Sequence, residues 1–526
     1  MALPDLNLRN IRLHKGSQDK AFEELCCQLA SLEPRPVQAL HHRKGAGADA
    51  GVECFTRWPD GTETGWQVKF YTAMDASLTR SLDKSIGTAL KKHPNLTVYI
   101  VCLPFDLSDA RTGRAQSPSE RWSRWRQRWL DAAAKTGRSL AIELWNESVI
   151  KERLGRDDPL YSGRLLYWFD QEAMTPAWFR ARFERTRADL GQRYTPETNV
   201  QLRVRRVLLA FARDPGLNDD IEDWASKLQE AGYRAVRACR ALAAVPGVAP
   251  MPPGLEDLLD RLLNQFDRVP IPADTALPVD DWLVGAREAL SAARACSHWA
   301  WDQSPTEKDS KPIERADWAR HCLMQLIGLV DHILEDLESE RWRFTNSRQM
   351  LVYGDGGIGK SHLLADATAY QIERSRPALL LLGSKFVDGN PWRQILDELD
   401  LPRGYQIRHV LGALDAAAQA AGTRVLVTID ALNERHGTDI WPHRLAGLLR
   451  DIEPFPRVSV ALSCRTTYLP HVIPASLTEE VLPRLAGCGK RWPSGVDLVG
   501  LLGMATRCGI WRCGAATFGR KRCSPT

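Results

Sequence analysis

The sequence has no apolar run approaching the roughly 20 consecutive residues that a membrane-spanning helix needs, so no membrane partner is expected. Residues 1–15 hold no continuous apolar stretch of the kind a secretory leader requires, so no signal peptide is expected. The 12 cysteines are scattered, with no Cys-x-x-Cys pair and no histidine partners at finger spacing. That excludes a recognisable zinc module and argues for reduced thiols in a cytoplasmic protein rather than a disulfide framework. Neither sign of charge dominates: 70 Lys and Arg against 65 Asp and Glu leave a formal charge of +5. Overall charge therefore does not announce a nucleic-acid protein, although local patches remain open. What 526 residues do allow is about three domains, each with its own core.

The most specific stretch is Leu-Val-Tyr-Gly-Asp-Gly-Gly-Ile-Gly-Lys-Ser, residues 351–361. From Gly354 it satisfies G-x-x-x-x-G-K-[ST]: Asp355, Gly356, Gly357 and Ile358 lead to Gly359, Lys360 and Ser361. Glycines let the backbone wrap an anion, so that successive amides point at a β-phosphate. Lys360 then neutralises the β- and γ-phosphates, and the Ser361 hydroxyl holds Mg²⁺. Residues 349–353 read as a buried strand before the loop. His362 and the residues after it open a helix whose N-terminus favours negative charge.

Downstream, residues 377–383 and 424–430 read as buried strands, the second ending in Asp430; residues 457–465 form a third, ending in Arg465. A strand-terminal carboxylate at the sheet's carboxyl end, beside the phosphate loop, orders the Mg²⁺ shell. Glu434 is placed to activate water, and Arg465 to reach a γ-phosphate. Strands alternating with helices, including one over residues 408–421, imply a doubly wound parallel sheet.

The first 165 residues carry a second constellation. Ser17 to Ala30 reads as a helix with Phe22, Leu25, Cys26 and Leu29 as its buried stripe; Glu23 and Glu24 follow Phe22, and one of them turns toward whatever lies alongside. Residues 45–51 are a Gly-rich, flexible entry containing Asp49. Residues 52–55 and 65–71 read as paired strands around a Trp58-Pro-Asp-Gly61 turn. The period of two puts Gln67 and Lys69 on one face, where Glu53 of the partner strand meets them. An acid and an amide oxygen holding Mg²⁺, next to a lysine that supports developing charge, are the parts of a phosphodiesterase. Two further strands follow, over residues 97–103 and 141–145. Between them, after a polar, mobile connection at 107–119, lies a helix whose Trp122, Trp125 and Trp129 face the core while its arginines point outward toward phosphates.

Gly-x-Asp-x-Gly-Val-Glu followed by Trp-Gln-Val-Lys resembles the PD-(D/E)xK restriction-endonuclease family in its Mrr-like variant. The resemblance implies Glu53, Gln67 and Lys69 at the catalytic positions, with Glu53 and Gln67 as Mg²⁺ ligands. It further implies Glu23 as an auxiliary helix acid and Asp49 as a supporting acid. Gly-Asp-Gly-Gly-Ile-Gly-Lys-Ser, Ile-Asp-Ala-Leu-Asn-Glu and Leu-Ser-Cys-Arg resemble the STAND class of signalling ATPases, with Ser361 and Asp430 on the nucleotide's Mg²⁺. The joint arrangement is similar to antiviral STAND proteins (Avs) with a nuclease effector. It implies ATP binding, homo-oligomerisation triggered by a phage protein, and cleavage of double-stranded DNA. A restriction or repair ATPase-nuclease and a non-cleaving DNA-binding scaffold remain as alternatives.

The expected architecture is thus an α/β multidomain chain. It comprises a restriction-endonuclease-like α/β domain (1–165), a helical connector without site chemistry (166–340), a P-loop NTPase domain (341–484) and an irregular tail (485–526). The tail loses amphipathic periodicity and gathers Cys488, Cys508, Cys513 and Cys523; the expectation is a frameshift or truncation product in which the class's repeat sensor is missing.

Overall fold

A computed structural model describes residues 6–43, 51–109, 116–195, 203–266, 271–303, 310–402, 404–474, 477 and 495–497. It is a mixed α/β structure divided into two compact units, Met1–Phe179 with Trp392–Ala420, and Arg180–Pro391 with Ala421–Thr526. The expected connector and NTPase domain fall mostly in the second unit. Segment 392–420, expected within the NTPase domain, belongs to the first.

The first unit opens with α1 (Gln18–Leu32). Ser17 caps it by accepting the Lys20 N–H at 3.1 Å. Phe22, Leu25, Cys26 and Leu29 are fully buried, as the 3.6-residue period requires. Strands β1 (Leu40–Arg43), β2 (Cys54–Arg57) and β3 (Glu63–Val68) form an antiparallel meander. After α2 (Ala76–Lys92), β4 (Leu96–Cys102) adds parallel to β3. After α3 (Pro118–Lys135), β5 (Ala141–Trp145) adds parallel to β4, giving the order β1-β2-β3-β4-β5. Helices α4 (Glu147–Leu154) and α5 (Pro159–Phe169) follow.

Both strands of the hairpin are displaced from where residue pattern alone puts them. β2 begins at Cys54 and β3 ends at Val68, so Glu53 precedes its strand and Lys69 follows its own. Gly51 is buried rather than part of a flexible entry. Its φ is +81°, Tyr99 donates to its carbonyl at 3.1 Å, and an added Cβ would lie 2.1 Å from the Ser85 carbonyl of α2. Trp122 and Trp125 of α3 face the core, stacked at 5.1 Å. The arginines are not simply turned outward: Arg121 donates to the Met74 carbonyl and Arg126 to that of Ile142.

A helix over Ile407–Ala421 completes this unit by crossing α5 at a pair of glycines. A Cβ on Gly412 would sit 1.9 Å from the Pro159 carbonyl, and one on Gly163 2.4 Å from the Gly412 Cα. Arg164 and Asp415 pair beside this crossing at 3.2 Å, both fully buried. Two bare backbones and a charge pair drawn from the two helices therefore hold this late segment in the first unit.

In the second unit, α6 (Pro176–Leu190), of which only the first few residues belong to the first unit, leads to α7 (Arg203–Phe211). α8 (Gly216–Ala243), α9 (Leu255–Phe266), α10 (Val279–Asp302), α11 (Ser310–Leu337) and α12 (Glu340–Arg343) pack around Trp224, Phe266, Trp282 and Trp342. A fully parallel sheet follows: β6 (Gln349–Gly354), α13 (Lys360–Glu373), β7 (Ala378–Leu382), β8 (Val425–Asp430), β9 (Val458–Arg465) and β10 (Gly495–Asp497), ordered β10-β6-β9-β8-β7. β10 places three residues of the expected irregular tail in regular structure; the four tail cysteines lie outside the described residues. The described cysteines are free and buried. Among the described residues no helix is long and apolar enough to cross a membrane.

Candidate functional site

Side-chain chemistry gathers at the ends of strands in both units. In the first, the antiparallel register that pairs Cys54 with Trp66 sets Glu53 against Gln67, and the Glu53 N–H donates to the Trp66 carbonyl at 2.7 Å. Gln67 lies on β3 between β2 and β4 and is fully buried. Its Nε2 donates to Glu53 Oε1 at 2.8 Å and to the Val68 carbonyl at 3.3 Å, while its Oε1 is shut off from solvent without a hydrogen-bond partner. Lys69, one period beyond Gln67, is half-buried and anchored through its N–H to the Cys102 carbonyl at 3.1 Å.

α1 settles which of its two acids faces this site. Glu24 is buried in a network with Arg43 and Gln28, the latter at 2.9 Å. Glu23 is partly exposed and takes the Lys20 ammonium at 2.7 Å. That hydrogen bond holds the Lys20 pKa above its ordinary value, and the charge of Glu53 adds to the effect, which places Glu53 near the Lys20–Glu23 pair. Asp49 lies outside the described residues. Among the described residues no three His, Cys, Asp or Glu side chains converge as a metal cluster. The donors present are a carboxylate and a carboxamide oxygen, a hard-oxygen pair suited to Mg²⁺. The 2.8 Å Glu53–Gln67 separation is close to that of neighbouring ligands on such an ion, so the pair fits it.

In the second unit, the connections from β6 and β9 leave in opposite directions, toward β7 and β10 respectively, although the two strands are neighbours. The crevice beyond their carboxyl ends is a topological switch point, where open α/β sheets take ligands. Gly354 and Arg465 are register partners there. The loop leaving β6 turns on Gly354, Gly357 and Gly359, with φ of 154°, 80° and 94°, conformations that side chains resist. Gly359 is the N-cap of α13 and supplies no side-chain acceptor, so no side chain caps the first-turn amides. Lys360 is 9% exposed and folds back on its own loop, donating to the Gly354 and Asp355 carbonyls at 2.8 and 2.7 Å. Burial lowers its pKa, opposed by the charge of Asp430.

Asp430 closes β8 at 1% exposure; Oδ1 accepts from Ser463 at 2.6 Å and Oδ2 is buried without a hydrogen-bond partner. Burial raises its pKa, and the hydroxyls of Ser361 and Ser463 oppose the rise. Ser463 also accepts the Ala431 N–H at 2.7 Å, and Asn433 accepts the Arg465 N–H at 2.9 Å, so the turn after β8 is tied to the end of β9. The Arg465 guanidinium stands over Gly356, 3.9 Å from the place a Cβ would occupy.

The structure thus gathers Gly354–His362, Asp430 and Arg465 as expected from sequence. Glu434 differs: both its oxygens are taken by Arg193, at 3.0 and 3.2 Å. Tyr194 packs on His362 with ring centroids 5.1 Å apart. Arg193 and Tyr194 lie in a stretch expected to be a connector without site chemistry, which corrects that expectation. No local motif marks them, because their role arises from a contact across more than a hundred residues of chain.

No family model matches the chain, and no curated protein matches it. Among solved structures, the S. cerevisiae Hsp104–ADP complex aligns at 10% identity over 85% of this chain and 74% of that one, with a TM-score of 0.17. A likeness so slight carries no argument about this chain.

Proposed function

We propose that the chain is a metal-dependent double-stranded DNA endonuclease, governed by ATP bound at the phosphate loop and acting in antiphage defence. The observation that carries the nuclease half is Gln67. A fully buried carboxamide beside a carboxylate, its oxygen left without a donor, is a costly arrangement unless a cation or its water uses that oxygen. The order α-β-β-β-α-β, with the acid entering β2 and the Gln-x-Lys pair leaving β3, supports the same reading.

Glu53 and Gln67 would hold Mg²⁺, which when bound polarises the scissile phosphate and acidifies a water. Lys69 neutralises charge developing on the phosphate oxygens, and Glu23 keeps Lys20 beside Glu53. At the second site the loop amides bind the β-phosphate, Lys360 exchanges loop carbonyls for phosphate oxygens, and Arg465 meets the terminal phosphate. Ser361 and Asp430, whose Oδ2 awaits a partner, would hold the nucleotide's Mg²⁺. Triggered assembly on a phage protein rests on the sequence resemblance alone.

Incubating the purified chain with linear double-stranded DNA over a Mg²⁺ series tests the nuclease half. Metal-dependent cleavage that Lys69→Ala lowers roughly a hundredfold or more is expected. Cleavage that survives Lys69→Ala and Glu53→Ala unchanged rejects this site.

A further inference from the structure

Two consecutive residues far from the phosphate loop in sequence close around it in the fold. Arg193 holds Glu434, on the side marked by Asp430. Tyr194 covers His362, the residue after Ser361 in the first turn of α13. The placement is fixed from behind. Phe183 of α6 meets the Tyr194 ring edge-on at 6.3 Å, Thr186 donates to the Leu380 carbonyl of β7 at 3.0 Å, and Asp189 pairs with Lys385 at 2.5 Å. Tyr194 is 8% exposed, and the His362 Nε2 is shut off from solvent without a hydrogen-bond partner.

A polyphosphate seated in this loop has a direction. Asp430, Glu434 and Arg465 mark its terminal-phosphate end, so whatever is esterified to its other end must leave past Ser361 along the first turn of α13. That is where His362 and Tyr194 stand. An aromatic face backed by a second aromatic residue, next to an imidazole nitrogen lacking a partner, suits a flat heteroaromatic ring with polar edges.

We propose that Tyr194 and His362 form the base subsite of the nucleotide site, so that a nucleoside triphosphate is distinguished from bare polyphosphate by stacking on Tyr194. The proposal rests on the reading of Gly354–Ser361 as a phosphate-binding loop. The cost of removing a stacking aromatic is on the order of ten- to a hundredfold in affinity.

The test titrates the full chain, in Mg²⁺, with ATP and separately with inorganic tripolyphosphate. Wild type should bind ATP at least roughly tenfold more tightly than tripolyphosphate. Tyr194→Ala should erase that preference by weakening ATP alone, and Tyr194→Phe should keep it. Equal loss for both ligands in Tyr194→Ala would show a packing role and overturn the proposal, as would an unchanged preference. If Tyr194→Ala does not fold, His362→Ala is expected to reduce the ATP preference in the same selective way, and an unaltered preference there overturns the proposal. Wild type binding neither ligand, or Lys360→Ala binding both normally, rejects the phosphate site itself and is distinguishable from these outcomes.

Discussion

At the residue scale, Gln67 is placed against the interests of stability. Its buried oxygen lacks a partner, so Gln67→Leu removes a polar group whose desolvation nothing offsets. The expected outcome is a chain that unfolds within about 1 kcal/mol of wild type, or more stable, while Mg²⁺-dependent DNA cleavage falls roughly a hundredfold; paired denaturation and cleavage assays check it. A large loss of stability would instead make Gln67 structural. Glu63, at the opposite end of β3, behaves in the contrary way. Burial alone would raise its pKa, but His93 at 2.7 Å and Arg57 at 2.8 Å more than reverse this and hold it below the ordinary value. A depressed carboxyl stabilises the fold above its unfolded pKa, and that contribution disappears as pH falls through the folded value. The first unfolding midpoint should therefore drop steeply below about pH 4.5, the ordinary Glu range, and Glu63→Gln should flatten that limb. An identical acid limb in both proteins would remove Glu63 from the account.

At the scale of elements, the glycine crossing between α5 and the helix Ile407–Ala421 determines where segment 392–420 belongs. Gly412→Ala forces a Cβ to within 1.9 Å of the Pro159 carbonyl unless the helices part. Overpacking of this kind costs about 1–3 kcal/mol, measurable by denaturant unfolding, and Gly163→Ala should cost a similar amount. Ala at Gly447, whose Cβ would meet nothing within 4 Å, is the control. Sequence could not assign this segment, because its helical period is legible while its partner is not. The same distinction runs through the fold. α1 and β5 were legible because apolar period alone defines them. β2 and β3 shifted by about two residues because ladder pairing, not composition, sets their ends. β1 is a polar edge strand, Leu-His-His-Arg, formed by pairing rather than propensity.

At the scale of the whole molecule, the two sites differ in how much of each could be read. The phosphate loop is local, so its glycines and Lys360 announce themselves; Asp430 and Arg465 follow because strand ends in a parallel sheet share an edge. Arg193 and Tyr194 do not, since folding alone brings them there. In the first unit Glu53 and Gln67 meet as the strand period requires, and Asp49 lies outside the described residues. The central claim is that occupancy of one site controls chemistry at the other. The most direct measurement is nicking of supercoiled plasmid in Mg²⁺, with and without ATP, by wild type, Lys69→Ala and Lys360→Ala. The account predicts cleavage that rises with ATP in wild type, is absent in Lys69→Ala at every ATP concentration, and in Lys360→Ala no longer responds to ATP. Cleavage by Lys360→Ala that follows ATP as wild type does, or undiminished cleavage by Lys69→Ala, would contradict it.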